Sequence, residues 1–204
     1  MGSKHKIKMH ISQNRGQYIL ITLIFIIGAV IGDYKVLDLE GGVKSHLLGL
    51  IDNYLKGGMQ TDLSGQTILL NSFLNQAKSI LAIWFLGLTV IGIPLIFGLV
   101  LLKGFSLGFT IGFLVQEKAG AGIIISIISI LPQNIVYIPF LIIWSVIAIN
   151  FSMYIVTGRS ENRVPLGRAL LSYSLLMFLF LLIVLIGAFI EAYLSPWLLS
   201  LFLP

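Results

Sequence analysis

The 204-residue sequence contains no cysteine. A disulfide framework, a thiolate nucleophile and any cysteine-based metal site are therefore excluded. Charge is scarce as well: Asp, Glu, Lys and Arg together make up 10% of the chain. A soluble domain of this size carries about a quarter charged residues. Histidine occurs three times, at His5, His10 and His46, with no His-Glu-x-x-His spacing, which leaves no sequence basis for a metal site or a bound cofactor. What the chain has in abundance is apolar surface, with 57% hydrophobic residues and a mean hydropathy of +1.01. Such a composition predicts an all-α, polytopic transmembrane helix bundle, a single integral membrane domain over residues 1–204 in contact with lipid. The formal charge of +5 would suggest nucleic acid in a soluble protein. Here the cations flank apolar runs, so they are read as orientation signals, with no nucleic-acid partner.

A hydrocarbon core of about 30 Å takes about 20 apolar helical residues to cross. Measured against that length, Gly16 to Gly32, Ser79 to Leu102 and Ala169 to Ile190 qualify as spans. The first follows Lys4, Lys6, Lys8 and Arg15, the pattern of a secretory signal, but without an Ala-x-Ala-like cleavage site it reads as an uncleaved span. Between Lys103 and Gly158 the boundaries are less plain. Ala119 to Gly158 is uncharged for 40 residues and is punctuated by Pro132, Gln133, Asn134 and Pro139, which predict a break. Ile135 to Thr157 is taken as one span, and Gly104 to Leu131 as one irregular crossing, a re-entrant hairpin or two thin crossings. The positive-inside rule favours one crossing, because Arg159, Arg163 and Arg168 then share the cytoplasmic side with the N-terminal lysines. The expectation is five spans, with residues 1–16 a cytoplasmic tail and 191–204 a short outer segment.

On that topology residues 33–78 form an outer loop with five acids, Asp33, Asp38, Glu40, Asp52 and Asp62, against four lysines. Within it, Val43, Leu47, Leu50, Ile51, Tyr54 and Leu55 recur at helical spacing, as do Leu70, Phe73, Leu74 and Ala77. These predict two amphipathic helices that lie on the membrane, lie on a partner or cover the bundle ends.

Gly104, Gly108 and Gly112 make two overlapping G-x-x-x-G units, and Gly28 with Gly32 makes another. Small residues four apart clear one helix face for a neighbouring backbone, and packing within the chain is favoured over self-association. Gly104-Phe105-Ser106-Leu107-Gly108 also matches the G-x-S-x-G elbow of serine hydrolases. That elbow needs a preceding strand and a histidine within reach, and the three histidines are remote in sequence from Ser106, so no catalytic residue is assigned and no enzymatic activity is expected. Polar groups for a transport path are Gln116, Gln133, Asn134, Asn150 and Glu191, with ionisable groups deep in the membrane nearly absent.

The stretch Trp84 to Gly112, continued through Ser129-Ile130-Leu131-Pro132-Gln133-Asn134, resembles the stage II sporulation protein M family of endospore-forming bacteria. The resemblance rests on Ile93-Pro94-Leu95, then Lys103-Gly104-Phe105-Ser106-Leu107-Gly108-Phe109, a glycine-rich segment and the Pro132-Gln133-Asn134 break. Wider relatives carry Pro-His-Gly at that break, so Pro-Gln-Asn fits the sporulation branch. The resemblance implies a non-enzymatic scaffold in the cell membrane, at the sporulation septum and the engulfing mother-cell membrane, which recruits two peptidoglycan-degrading partners, stage II sporulation proteins D and P. Gly28, Gly32, Gly104, Gly108, Gly112, Pro132, Gln133 and Asn134 are the candidate packing or partner-contact residues. The alternative is a small transporter or permease subunit, because broken helices at mid-membrane frame substrate sites.

Overall fold

A backbone in hydrocarbon has no water to bond, so each apolar run satisfies its own N–H and C=O groups as helix. In the computed structural model, which describes residues 12–57, 65–157 and 165–202, the elements are helical throughout. They are α1 (Arg15–Leu37), α2 (Gly41–Gly57), α3 (Gly65–Gly87), α4 (Gly92–Ile125), a π-helical turn (Ser126–Ile130), α5 (Leu131–Val156), α6 (Leu166–Phe189), a second π-turn (Ile190–Leu194) and α7 (Ser195–Phe202). Arg159 and Arg163, the lysines of the N-terminal tail, His5 and His10 lie outside the described residues.

Among the described residues, three helical stretches are long and apolar enough to cross a membrane: Arg15–Leu37, Gly92–Val156 and Leu166–Leu198. The second, of 65 residues, is far longer than one crossing needs. It folds back at Ala119, whose φ of 48° and ψ of −125° leave the helical region. Beyond that point Gly122 packs against the Leu114 carbonyl so closely that no Cβ would fit. The crossing expected within Gly104 to Leu131 therefore begins earlier, at Gly92, and residues after Ala119 start the return leg. Its break lies at Ala119 and not at Pro132, which continues the helix directly after the π-turn. Pro139 inside α5 is accommodated without ending it.

The single helix expected from Ser79 to Leu102 is not formed. α3 ends at Gly87, the chain turns over Leu88 to Ile91, and α4 begins at Gly92 with Pro94 in its first turn. Proline there needs no hydrogen-bond partner, and Gly92 fits against the Leu86 carbonyl where a side chain would not. The helix expected from Leu70, Phe73, Leu74 and Ala77 is the first half of α3, and it runs inside the bundle. Its first residue packs against Tyr193 and its last against Tyr173, so it lies along the length of α6. Asn71, Asn75, Gln76 and Lys78 lower its hydropathy, which is why the apolar ruler misplaces it.

Five legs result. α3 and α5 run together and α6 against them: Trp144 donates to the Ile80 carbonyl at 3.0 Å, and the Ser152 hydroxyl donates to the Thr89 carbonyl at 2.7 Å. Trp144, fully buried, stacks on Tyr173 at 5.1 Å and meets Phe180 at 4.9 Å. Around these rings gather Ile21, Ile80, Ile83, Ile96 and Val100. Arg15 and Arg168 both open upward legs at the same end of the bundle, the arrangement the positive-inside rule associates with the cytoplasm.

Candidate functional site

Lipid tails are as apolar as leucine, so helices meet where backbones approach closely or polar side chains find each other. Both occur here, at two separate places. The first is between α1 and α4. Gly28 and Gly32 face the carbonyls of Leu101 and Phe105, while Gly104 and Gly108 face those of Phe25 and Ala29. Gly112 abuts the Asp33 carboxylate. Residue numbers rise together on both sides, so the two helices run parallel and the glycines interlock reciprocally. No Cβ fits at Gly28, Gly32, Gly104 or Gly108, where the neighbouring atom is backbone, whereas at Gly112 the nearest atom belongs to the Asp33 side chain. Phe105, Phe109 and Phe113 stack beside this seam with ring centres 6.0 and 6.3 Å apart.

The second place lies between α3, α4, α5 and α6. Lys103 Nζ donates to Gln76 Oε1 at 3.2 Å, and the Tyr137 hydroxyl donates to Glu191 Oε2 at 3.1 Å. The Glu191 carboxylate is close enough to Lys103 to act on it electrostatically. Above them the buried Ser195 hydroxyl donates to Gln133 Oε1 at 3.0 Å, and Gln133 Nε2 donates to the Ser129 carbonyl. Both π-turns border this cluster: one supplies Ser129, the other Glu191. A π-turn shifts helical register and frees a backbone acceptor, a feature frequent at functional sites.

Some hydroxyls elsewhere in the legs bond back to their own helix, as Thr22 does to Tyr18 and Ser145 to Leu141, both at 2.8 Å. The Ser126 and Ser129 hydroxyls in the first π-turn are buried, and among the described residues neither has a hydrogen-bond partner. At the opposite end of the bundle Gln17 donates to Asn150 Oδ1 at 2.9 Å and Asn150 donates to Asn14 Oδ1 at 3.0 Å, tying α1 to α5.

The five glycines named from the sequence are thus brought into one seam, and Gln133 and Glu191 into one polar cluster. Asn134 bonds back to the Ile130 carbonyl at 2.7 Å and joins neither. Sequence reading missed Gln76, Lys103, Tyr137 and Ser195. Lys103 looked like the end of a span, whereas it lies eleven residues along α4 from Gly92, about 16 Å up the helix. The Gly87-to-Pro94 interval, rich in turn formers, was the signal that would have placed it inside. Ser106, within the elbow-like motif, is mid-helix and exposed, and its hydroxyl donates to the Leu102 carbonyl at 2.9 Å.

The arrangement defines a class: an all-α membrane bundle held by a parallel glycine seam, with an ionisable cluster enclosed between its legs. The chain belongs to the stage II sporulation protein M family, whose model matches residues 21–196, including both the seam and the cluster. It is in that sense a sporulation membrane protein. No curated protein and no solved structure matches the chain.

Proposed function

We propose that this protein is a non-enzymatic scaffold that recruits peptidoglycan-degrading partners to the septal membrane during engulfment. The family supplies the sporulation context. The observation that carries the reading is the α1–α4 seam, because four interlocked glycines fix the two legs that lead to α2 and to the Ala119 turn. At that end the Lys44 ammonium pairs with Glu117 at 2.6 Å, tying α2 to the top of α4. A rigid outer end of this kind suits a platform on which wall-degrading enzymes assemble, and stage II sporulation proteins D and P are the partners the resemblance implies. The test is co-purification from detergent-solubilised sporulating cells. Both partners should be recovered with the wild-type chain and lost in proportion when the seam is disrupted; wild-type protein recovered without either overturns the reading.

One observation favours a second reading, a small transporter. Ionisable groups enclosed among membrane legs mark substrate or proton paths by default, and Lys103 with Glu191 is such a set. Solute flux in vesicles that is carried by the wild-type chain and abolished by Glu191→Gln would establish it.

A further inference from the structure

The outward face of α3 is unlike that of the other legs. α1 turns Leu23 and Ile27 outward, and α6 turns Leu175 and Leu182, all suited to hydrocarbon. α3 buries Ser72, Ala77, Ile80, Ile83 and Gly87 and exposes Asn71, Asn75 and Lys78. Those three fall at i, i+4 and i+7, one stripe along the helix. Lys78 is two residues from Ile80, roughly 200° round the helix, so it points directly away from the core.

Its depth follows from the packing. Lys78 is nine residues from Gly87, about 13 Å, and thirteen from Gly65, about 20 Å. Gln76, two residues before it, meets Lys103, and Leu101, two residues before Lys103, meets Gly28 in the middle of α1. Lys78 therefore sits near mid-depth, where its four-carbon stem falls short of either helix end. Among the described residues nothing forms an ion pair with its ammonium or hydrogen-bonds the side chains of Asn71 and Asn75. A charge left facing lipid at this depth is strongly unfavourable, and such groups face protein or water.

We propose that this face docks a membrane-spanning helix of another protein that carries a carboxylate at mid-depth. The ammonium requires an anion, and the flanking amides of Asn71 and Asn75 offer both donors and acceptors to a polar helix. Leu74 and Phe85, exposed on the same face, supply apolar contact around them. A second copy fits poorly, because a two-fold interface centred here brings Lys78 against its own symmetry mate. The inference stands on the chemistry of α3 and holds whether or not the scaffold reading does.

The test uses the full chain in phosphatidylcholine vesicles, which carry no net anionic headgroup. The probes are labelled leucine-rich peptides of about 20 residues with a central Asp, a central Lys or neither. Energy transfer to the labelled chain should be saturable with the Asp peptide and weaker by roughly tenfold with the all-leucine one. Lys78→Leu and Lys78→Gln should remove that preference while keeping the thermal transition of the wild type, since the side chain is outside the core. Lys78→Glu should transfer the preference to the Lys peptide. Equal transfer with all three peptides overturns the proposal. So does transfer between labelled copies of the chain that Lys78→Leu abolishes, which would make the face a self-association surface.

Discussion

Gly108 lies against the carbonyl of Ala29, at a separation that no side-chain carbon tolerates. The contact joins the middle of one membrane leg to the middle of another that runs in the same direction, seventy-nine residues on (108 − 29). Gly108→Leu should therefore force α1 and α4 apart, at a cost of about 3 kcal/mol or more. Leu107→Ala, half-buried beside the core, should cost about 1 kcal/mol. Thermal unfolding in detergent and accumulation in membranes check both, and equal behaviour of the two variants would remove the close-packing argument.

The break at Ala119 predicts a stabilising substitution. Its φ of 48° lies in the left-handed region, which disfavours any residue with a Cβ by about 1–2 kcal/mol. Ala119→Gly should raise the melting temperature, while Ala119→Val should lower it. A lower melting temperature for the glycine variant would mean that the reversal lies elsewhere.

Tyr137 and Glu191 test the polar cluster. Tyr137→Phe leaves the carboxylate without its hydroxyl donor, a loss of about 1 kcal/mol within a membrane bundle. Adding Glu191→Gln to it should cost less than the sum of the two single changes, because the contact is already gone. Additive losses would show that the two side chains do not interact.

The direction of the legs is open to labelling, because the chain has no native cysteine. Cysteines placed at Gln13 and Thr157 should be protected from an impermeant reagent added to intact cells, and one at Ala121 should react. Gln13 and Thr157 flank the ends at which α1 begins and α5 finishes, while Ala121 follows the reversal. Reaction at Thr157 but not at Ala121 would invert the topology.

Ser106→Ala removes the hydroxyl of the elbow-like motif. The hydroxyl bonds back to the Leu102 carbonyl of its own helix, so abundance and engulfment should stay close to wild type. A normally accumulating variant that fails completely in sporulating cells would contradict the non-enzymatic reading, since loss of a nucleophile costs several orders of magnitude in rate.

The glycine seam was legible because its signal is spacing. Gly28 with Gly32, and Gly104 with Gly108 and Gly112, clear a face wherever they stand on a helix. The polar cluster was legible only in part. Gln133 and Glu191 stood out as polar groups in apolar surroundings, whereas Lys103 was read as a span end because the turn at Leu88 to Ile91 is built from residues almost as apolar as the legs it joins. α3 was lost to the hydropathy ruler for the opposite reason, since its polar side chains dilute a helix that packs along α6 from end to end.

By itself the sequence determined that this is an all-α membrane bundle and which helix faces are small enough for close approach. Those properties are local: hydrocarbon obliges each apolar run to bond its own backbone, and a glycine clears space regardless of its neighbour. Only the tertiary structure decided that α1 pairs with α4 in parallel, that Lys103 turns toward Gln76, and that Lys78 turns outward. In water an apolar stripe would have marked the inner face of each helix, but in lipid both faces are apolar, so partner and rotation are set by contacts between residues distant in the chain.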